Sequence, residues 1–422
     1  MFSPSDARAH LTAIMEAALA AADAGACVAA HLPPRPAGRV LVVGAGKASA
    51  AMAAAVETAW AKSDGPALEG LVVTQQGYGR ALERLRLVEA SHPLPGLEAQ
   101  AAAAETLVRA SMLGEGDLML VLLSGGGSAL WPAPRRPLDL DGKREITGAL
   151  LRSGAPIAEV NAIRKHLSRI KGGRLAKAAG PCRIVALAVS DVPGDEPGLI
   201  ASGPVSPDPV TSADVRGMLA RRGIAVDEHL AAVLDDPASE TPKPGDACFD
   251  KVEFRIVLRP ANMLAAAAAH AEALGYRTVM LGDAVEGEAR EVGAAHAALA
   301  VKTKTEGGRV ALISGGELTV TMTGNGRGGP SREYALGLAL ALNGAGGISA
   351  LAIDTDGADG GPDAAGAIID STTLARARAT RIDPAAALAA NDTGKLFDTL
   401  SDAIVTGPTG TNVNDLRVIL IE

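Results

Sequence analysis

Arg39-Val40-Leu41-Val42-Val43 runs directly into Gly44-Ala45-Gly46-Lys47-Ala48-Ser49, after which the chain turns alanine-rich as far as Lys62. A short run of Val and Leu closed by glycines reads as a buried parallel strand, and the alanine-rich stretch behind it as a helix. Outward from here the alternation recurs. Leu71 to Thr74, Leu118 to Leu123 and Ile184 to Val189 read as strands, with helical pattern at Leu97 to Leu113 and Lys171 to Ala179. This predicts an α/β fold whose first half is a Rossmann-like, mostly parallel sheet.

A chain of 422 residues exceeds the size at which one core stops growing, so two domains are expected. Between about Leu234 and Lys251 the stretch DDPASETPKPGDACFDK carries three prolines and mixed charge, as linkers do. The expected division is 1–245 and 246–422. Beyond it, strands are expected at Phe254 to Leu258, Thr278 to Leu281, Val310 to Ser314 and Ile348 to Asp354, with helices from Asn262 and Gly287. Leu318 to Thr323 has strand alternation. The Pro-rich stretch from Trp131 to Gly142 reads as a surface loop.

Only 2% of residues are aromatic, so Ala, Val, Leu and Ile must fill the core, which suits layered α/β packing. A formal charge of −8 with no basic block argues against a nucleic-acid partner. Cys27, Cys182 and Cys248 lie too far apart for a zinc or redox pair, which predicts free thiols in a reducing compartment. Asp6, Arg8 and Glu16 punctuate the N-terminal apolar residues as in an amphipathic helix, and no uncharged run reaches membrane-spanning length. A cytoplasmic protein without a membrane partner is the expectation.

Several segments carry candidate chemistry. Gly44, Gly46 and Lys47 stand where a strand hands over to a helix, a place that attracts anions. The segment satisfies neither nucleotide fingerprint. A dinucleotide site wants glycine at Ser49 and an acid near Thr74, Gln75 and Gln76, whereas a P-loop wants glycine at Leu41 and a hydroxyl at Ala48. A close-packed turn with a solvated lysine is the alternative. Ser124-Gly125-Gly126-Gly127-Ser128 also follows an apolar strand and is the stronger anion cradle. The segment from Asn161 to Arg174, with Arg164 and Lys165, gathers positive charge suited to a phosphate or carboxylate, or forms a solvated helical face. Asp191 and Asp195 close the strand at Ile184 to Val189, where a carboxylate can accept a hydroxyl proton or hold Mg²⁺. In the second half, Ser314-Gly315-Gly316-Glu317 precedes the glycine-rich Gly324-Asn325-Gly326-Arg327-Gly328-Gly329, whose arginine can neutralise a transferring phosphoryl group if that loop is flexible. Asp354, Asp356 and Asp359 follow a strand in a register wrong for a calcium loop but compatible with Mg²⁺ shared with phosphates.

VVGAGKAS, SHPLPG, LLSGGGSAL, NAIRKHLSRIKGGRLA, SDVPGD, IASGP, ISGGELTV, DTDGADGG and TGPTGTNV, in that order over nearly the whole chain, resemble the glycerate 2-kinase family, whose C-terminal half is called the MOFRL domain. The resemblance implies a Rossmann-like domain, a smaller α/β domain and an active site in the cleft between them. It implies ATP and a divalent metal such as Mg²⁺ as cofactors, D-glycerate as substrate and 2-phosphoglycerate as product. Lys47 and Arg327 look like its two basic catalytic groups, and the loop from Ser124 to Ser128 like the border of the substrate or phosphate site. Beside that reading, Asp191 is the candidate for orienting the hydroxyl, Asp195 and Asp356 are candidates for metal, and Gly315, Gly316, Glu317 and Gly326 are candidates for nucleotide contacts. Where the family pattern reads GGRNQE, this chain reads Gly328-Gly329-Pro330-Ser331-Arg332-Glu333, which moves a basic side chain by two positions. Rival readings are an NAD(P)H-dependent hydroxypyruvate reductase and a non-catalytic sensor of small acids. A homodimer is left open.

Overall fold

Long apolar runs flanked by glycine have become the centre of a sheet. In the computed structural model, which describes residues 4–61 and 65–422, the chain divides into a unit of residues 24–257 and a unit joining 4–23 to 258–422. The first contains β1 (Val40–Ala45), β2 (Leu68–Gln75), β3 (Arg86–Ala90), β4 (Leu118–Leu123), β5 (Arg183–Val189) and β6 (Val252–Leu258), in the order β3-β2-β1-β4-β5-β6. β1 and β4 are buried along their whole length, because each has a strand on both sides and side chains packed on both faces. The strands end level: Ala45 pairs with Val73 and with Leu123, and Leu123 with Ala188. The strand order reverses between β1 and β4, which is where doubly wound folds place their ligands.

Four further helices, Leu140–Arg152, Ile157–His166, Ser212–Arg221 and Glu228–Asp235, close on a separate apolar cluster that includes Leu150, Ile163, Leu219 and Leu234. The Pro-rich stretch before them is the surface loop expected only in part, exposed at Arg136, Pro137 and Asp139. Trp131 and Ala133 are buried in the core of the sheet, and Pro134 bridges to Ser168, so Pro132 and Pro134 stiffen an interior crossing.

The second unit holds β7 (Arg277–Gly282), β8 (Val310–Ser314), β9 (Ile348–Asp354), β10 (Gly366–Ile369), β11 (Ala403–Ile404) and β12 (Asp415–Ile421), in the order β11-β10-β9-β12-β8-β7. Here only β7 and β8 run parallel, and the sheet is mixed. Leu318 to Thr323 is not a strand. Its backbone N–H groups are taken by other partners, Thr319 donating to the Gly287 carbonyl, Thr321 to Glu288 and Thr323 to Asn391 Oδ1.

The units divide at 257/258, later than the expected 245/246, because β6 joins the first sheet behind the Pro-rich linker. The first helix, Pro4–Ala21, goes with the second unit: Leu11, Ile14 and Ala18 are fully buried, and His10 Nδ1 lies 3.0 Å from Tyr276 Oη. The segment Asp6–Ala30 is long and apolar enough to cross a membrane by length and composition alone, but it carries Asp6, Arg8, Glu16 and Asp23 and so is not an uncharged run. All three cysteines are free, as expected.

One titration follows from this packing. His296, hydrogen-bonded to Tyr334 Oη at 2.9 Å, is pulled from 6.5 to about 4, first by burial and then by the charge of Arg417. Its folded pKa is depressed, so its share of stability is complete above 6.5 and is lost as the pH falls through 4. After allowance for partial exposure that share is about 1–2 kcal/mol. His296→Gln is expected to flatten the loss of urea stability between pH 6.5 and 4 by that amount relative to wild type.

Candidate active site

Three loops leave neighbouring strand ends in the first unit. Gly46-Lys47 follows β1, Ser124–Ser128 follows β4, and Ser190-Asp191 follows β5. Gly46 adopts φ +140°, and a Cβ there would sit 2.6 Å from the Ser124 carbonyl oxygen, so only glycine allows the two loops to touch. The first loop's amides are already used: Gly46 N–H donates to Val73 O, Lys47 N–H to Gly125 O at 2.9 Å, and Ala48 N–H to Ser124 Oγ at 3.0 Å. The sequence reading of this turn as an anion cradle of glycine amides therefore does not hold, and what it presents is the half-buried Lys47 side chain. Gly44 lies inside β1, opposite Val72 and Leu122, where it packs the sheet.

The second loop keeps its donors. The amides of Gly125 and Gly126 donate to no protein acceptor among the described residues, while Gly127 N–H closes the turn onto Ser124 O. Gly126, at φ +78°, lies against Lys47 and His92: a Cβ there would come within 3.6 Å of Lys47 Cγ and 3.0 Å of His92 Nε2. Ser128 Oγ and Ser202 Oγ are 2.5 Å apart, and Lys171 Nζ donates to Ser128 O at 2.7 Å. Ser202 reaches this place through an unusual backbone. Ala201, Ser202 and Gly203 are consecutive left-handed residues, at φ 50°, 62° and 60°. Each non-glycine costs about 1–2 kcal/mol in that region. The turn is held by Gly172 N–H on Ser202 O and Gly173 N–H on Gly203 O. Strained backbone tends to cluster at ligand clamps and active sites, and here it sets Ser202 against the Ser124–Ser128 loop.

Asn161, Arg164 and Lys165 share one face of the helix Ile157–His166, but their fates differ. Lys165 Nζ is 3.5 Å from the buried Asp208 and is committed to it. Arg164 has no carboxylate partner among the described residues. Asp191 is half-buried, and Asp195 occupies a left-handed position on the loop behind it. His166 is structural, its Nδ1 bonding Ala162 O at 3.0 Å.

In the second unit Arg327 is exposed, 3.1 Å from Asp363 and paired also with Asp398. The loop carrying it is not the flexible presenter expected. Cβ atoms at Gly324, Gly326 and Gly329 would overlap the backbone of Ala390, Asp392 and Asp359, and one at Gly328 the Thr393 hydroxyl, so these glycines let the loop lie close on its neighbours. Asn391 fastens the loop's start, its Oδ1 accepting from Thr323 and Gly324 N–H while its Nδ2 donates to the buried Glu333 at 2.6 Å. Arg332 is fully buried, 2.9 Å from both Asp359 and Asp363. Its displacement from the family pattern thus yields an interior ion pair that clamps the Asp354–Gly360 turn.

The amides of Gly315 and Gly326 are spent on Gly282 O and Ala390 O, Gly316 is pressed against Val285, and Glu317 is exposed. Asp356 is buried, with Oδ1 accepting from Ala358 N–H at 2.8 Å. Among the described residues no group of three or more His, Cys, Asp or Glu is placed to hold a metal. Sequence reasoning missed Ser202, Lys171 and His92 as members of the site. IASGP and SHPLPG were visible as tight turns, but only the strand order brings them to the Ser124 loop.

The comparisons agree with this architecture. Family models match over residues 10–235 (domain of unknown function, DUF4147) and residues 310–415 (MOFRL family). A protein of Agrobacterium vitis named as a hydroxypyruvate reductase is 49% identical over 98% of this chain and 94% of its own length. The D-glycerate 2-kinase of Thermotoga maritima is 36% identical over 100% of both chains. The crystal structure of glycerate kinase from Thermotoga maritima superposes with a TM-score of 0.89 at 36% identity, covering 99% of this chain and 100% of that one. With its doubly wound first unit and its mixed-sheet second unit matched along their length, the chain belongs to the glycerate 2-kinase family and ends in a MOFRL domain.

Proposed function

We propose that the protein transfers the γ-phosphoryl group of ATP to the C2 hydroxyl of D-glycerate, giving 2-phosphoglycerate and ADP. The observation that carries this is the pair of undonated amides at Gly125 and Gly126 beside the Lys47 side chain, at the point where the strand order reverses. Phosphoryl transfer asks a protein for positioning and charge neutralisation rather than for strong base chemistry, and amides with a lysine supply both. The C2 oxygen bonds to the γ-phosphorus as the bond from that phosphorus to the β-phosphate oxygen breaks, and the hydroxyl proton passes to Asp191. Lys47 offsets the negative charge of the transferring group, and the family resemblance gives Arg327 the same task. Mg²⁺ carried with the nucleotide would neutralise further phosphate oxygens, with Asp195 and Asp356 as its candidate ligands. Three free cysteines suit the reducing cytoplasm as the place of work.

The reductase named for the Agrobacterium relative needs a dinucleotide site. Here Ser49 replaces the third glycine and spends its hydroxyl on Gly46 O and Val73 O, and β2 ends in Gln75 where a ribose-binding acid belongs. Purified protein with D-glycerate, Mg²⁺ and ATP is expected to yield ADP and a phosphorus NMR signal of 2-phosphoglycerate. The 3-phosphate would correct the regiochemistry, and an absence of ADP with a panel of 2-hydroxy acids would overturn the reading.

A further inference from the structure

Behind the Ser124–Ser128 loop the first unit buries more positive charge than it matches. Lys143 comes from the helix Leu140–Arg152, Arg164 from Ile157–His166, and Lys171 from the turn before Arg174–Ala178. Lys143 is 7% exposed and Lys171 1%. Lys143 Nζ has no hydrogen-bond partner, and Lys171 Nζ has the single carbonyl of Ser128. Arg164 has neither a hydrogen bond nor an ion pair among the described residues. Asp208 and Glu240, the acids that face neighbouring Arg174, are paired with Lys165 and Lys243. Arg174, close by, spends its guanidinium on the carbonyls of Lys165 and Ser239.

The three groups feel one another. Burial, then the charges of Arg164 and Arg174, push Lys143 down to about 7. Burial, then Lys143 and Arg164, push Lys171 well below its usual range. Clustered like charges in a dry interior destabilise a fold unless an anion completes them.

We propose that Lys143, Arg164 and Lys171 form a built anion site against the Ser124–Ser128 loop, and that its occupant is the carboxylate of the small hydroxy-acid substrate. This rests on the phosphoryl-transfer reading above for the identity of the substrate. A carboxylate carries one charge on two oxygens and is saturated by a few N–H donors of this kind. A triphosphate spreads its charge over three groups and needs an open track, which side chains this enclosed do not offer. The bond from Lys171 to Ser128 ties the site to the loop whose Gly126 touches Lys47. Recognition of the acid and activation of the phosphate are thus assigned to opposite sides of one glycine-rich turn.

The test compares Lys143→Met and Arg164→Gln with wild type, reading steady-state kinetics together with calorimetric and thermal-shift binding of D-glycerate and of its uncharged amide, D-glyceramide. The expected result is a rise of roughly 30-fold or more in KM and Kd for D-glycerate, the loss expected for one charge-assisted partner. KM for ATP should change by less than about 3-fold, and the weak binding of D-glyceramide should stay the same in all three proteins. Ligand-free Lys143→Met should melt no lower than wild type, since it loses only an unmatched charge. A shift in ATP rather than glycerate affinity, or unchanged glycerate binding in Arg164→Gln, overturns the proposal while leaving phosphoryl transfer standing. Arg164 is half-buried, so that variant gives the answer even should Lys143→Met fail to fold. If wild type forms no ADP from glycerate yet is stabilised by D-glycerate in a manner lost in the variants, the anion site stands and the reaction assigned above falls.

Discussion

Lys47→Ala is expected to lower kcat with D-glycerate and ATP by about 10²- to 10³-fold, the usual loss when one preorganised charge-stabilising group is removed. The loop itself should survive. What positions residue 47 is backbone, its N–H on Gly125 O and its carbonyl accepting from Thr74 Oγ1 at 3.2 Å, and alanine keeps both. Urea stability should therefore stay within about 0.5 kcal/mol of wild type. A fall in kcat without a fall in stability assigns the lysine to the reaction. A matching loss of stability would make it a structural residue, and an unchanged kcat would remove it from the mechanism. Arg327→Ala is expected to lower kcat by a comparable factor, as the role proposed for it requires.

The second large effect is structural. Arg332→Met should destabilise the protein by about 3–5 kcal/mol in urea unfolding, because it strands a partner in the interior. Asp359 is buried and is already pushed upward by that burial. Arg332 opposes the push, together with the Ser331 and Arg332 amides at 2.8 and 3.0 Å. Without the guanidinium the carboxylate is left desolvated with amide partners alone. Adding Asp359→Leu in the same chain should recover part of the loss, since a matched apolar pair costs less than a widowed charge. Asp363, shared between Arg332 and Arg327, should carry part of the effect into turnover. A loss below about 1 kcal/mol would mean that the pair contributes little.

How much of this was legible beforehand follows from where the information resides. β1, β4, β8 and β9 were readable as strands because a buried strand must be apolar throughout, and a continuous Val/Leu/Ile run announces it. β12 was not, although five of its seven residues are apolar and the other two are buried charge partners of one another. Asp415 and Arg417, 2.7 Å apart, interrupt the pattern and look like surface. β3, β10 and β11 are short, and a short run carries too few residues to fix a period. Leu318 to Thr323 erred the other way: its alternation is real, but side chains and loops took the backbone groups a sheet would have used. Lys47 and Ser124–Ser128 could be singled out in the sequence because strand, turn and helix start are contiguous there. Ser202 and Lys171 were not, since their meeting depends on which strands neighbour each other and on three successive left-handed residues that no propensity favours.

The placement of the first helix has a consequence for how the chain is made. Residues 4–23 emerge from the ribosome before residues 24–257, yet the surfaces that bury Leu11, Ile14 and Ala18 belong to a unit whose remainder begins at residue 258. At ordinary translation speeds the helix waits on the order of tens of seconds, while the whole first unit is synthesised and can fold behind it. During that interval its apolar stripe is uncovered, which makes the nascent N-terminus a natural client for a holding chaperone. It also means that deleting the first twenty-odd residues wounds the C-terminal unit rather than the one next to it in the chain. A tag or fusion joined at the front is thus an intervention on the last part of the molecule to be completed.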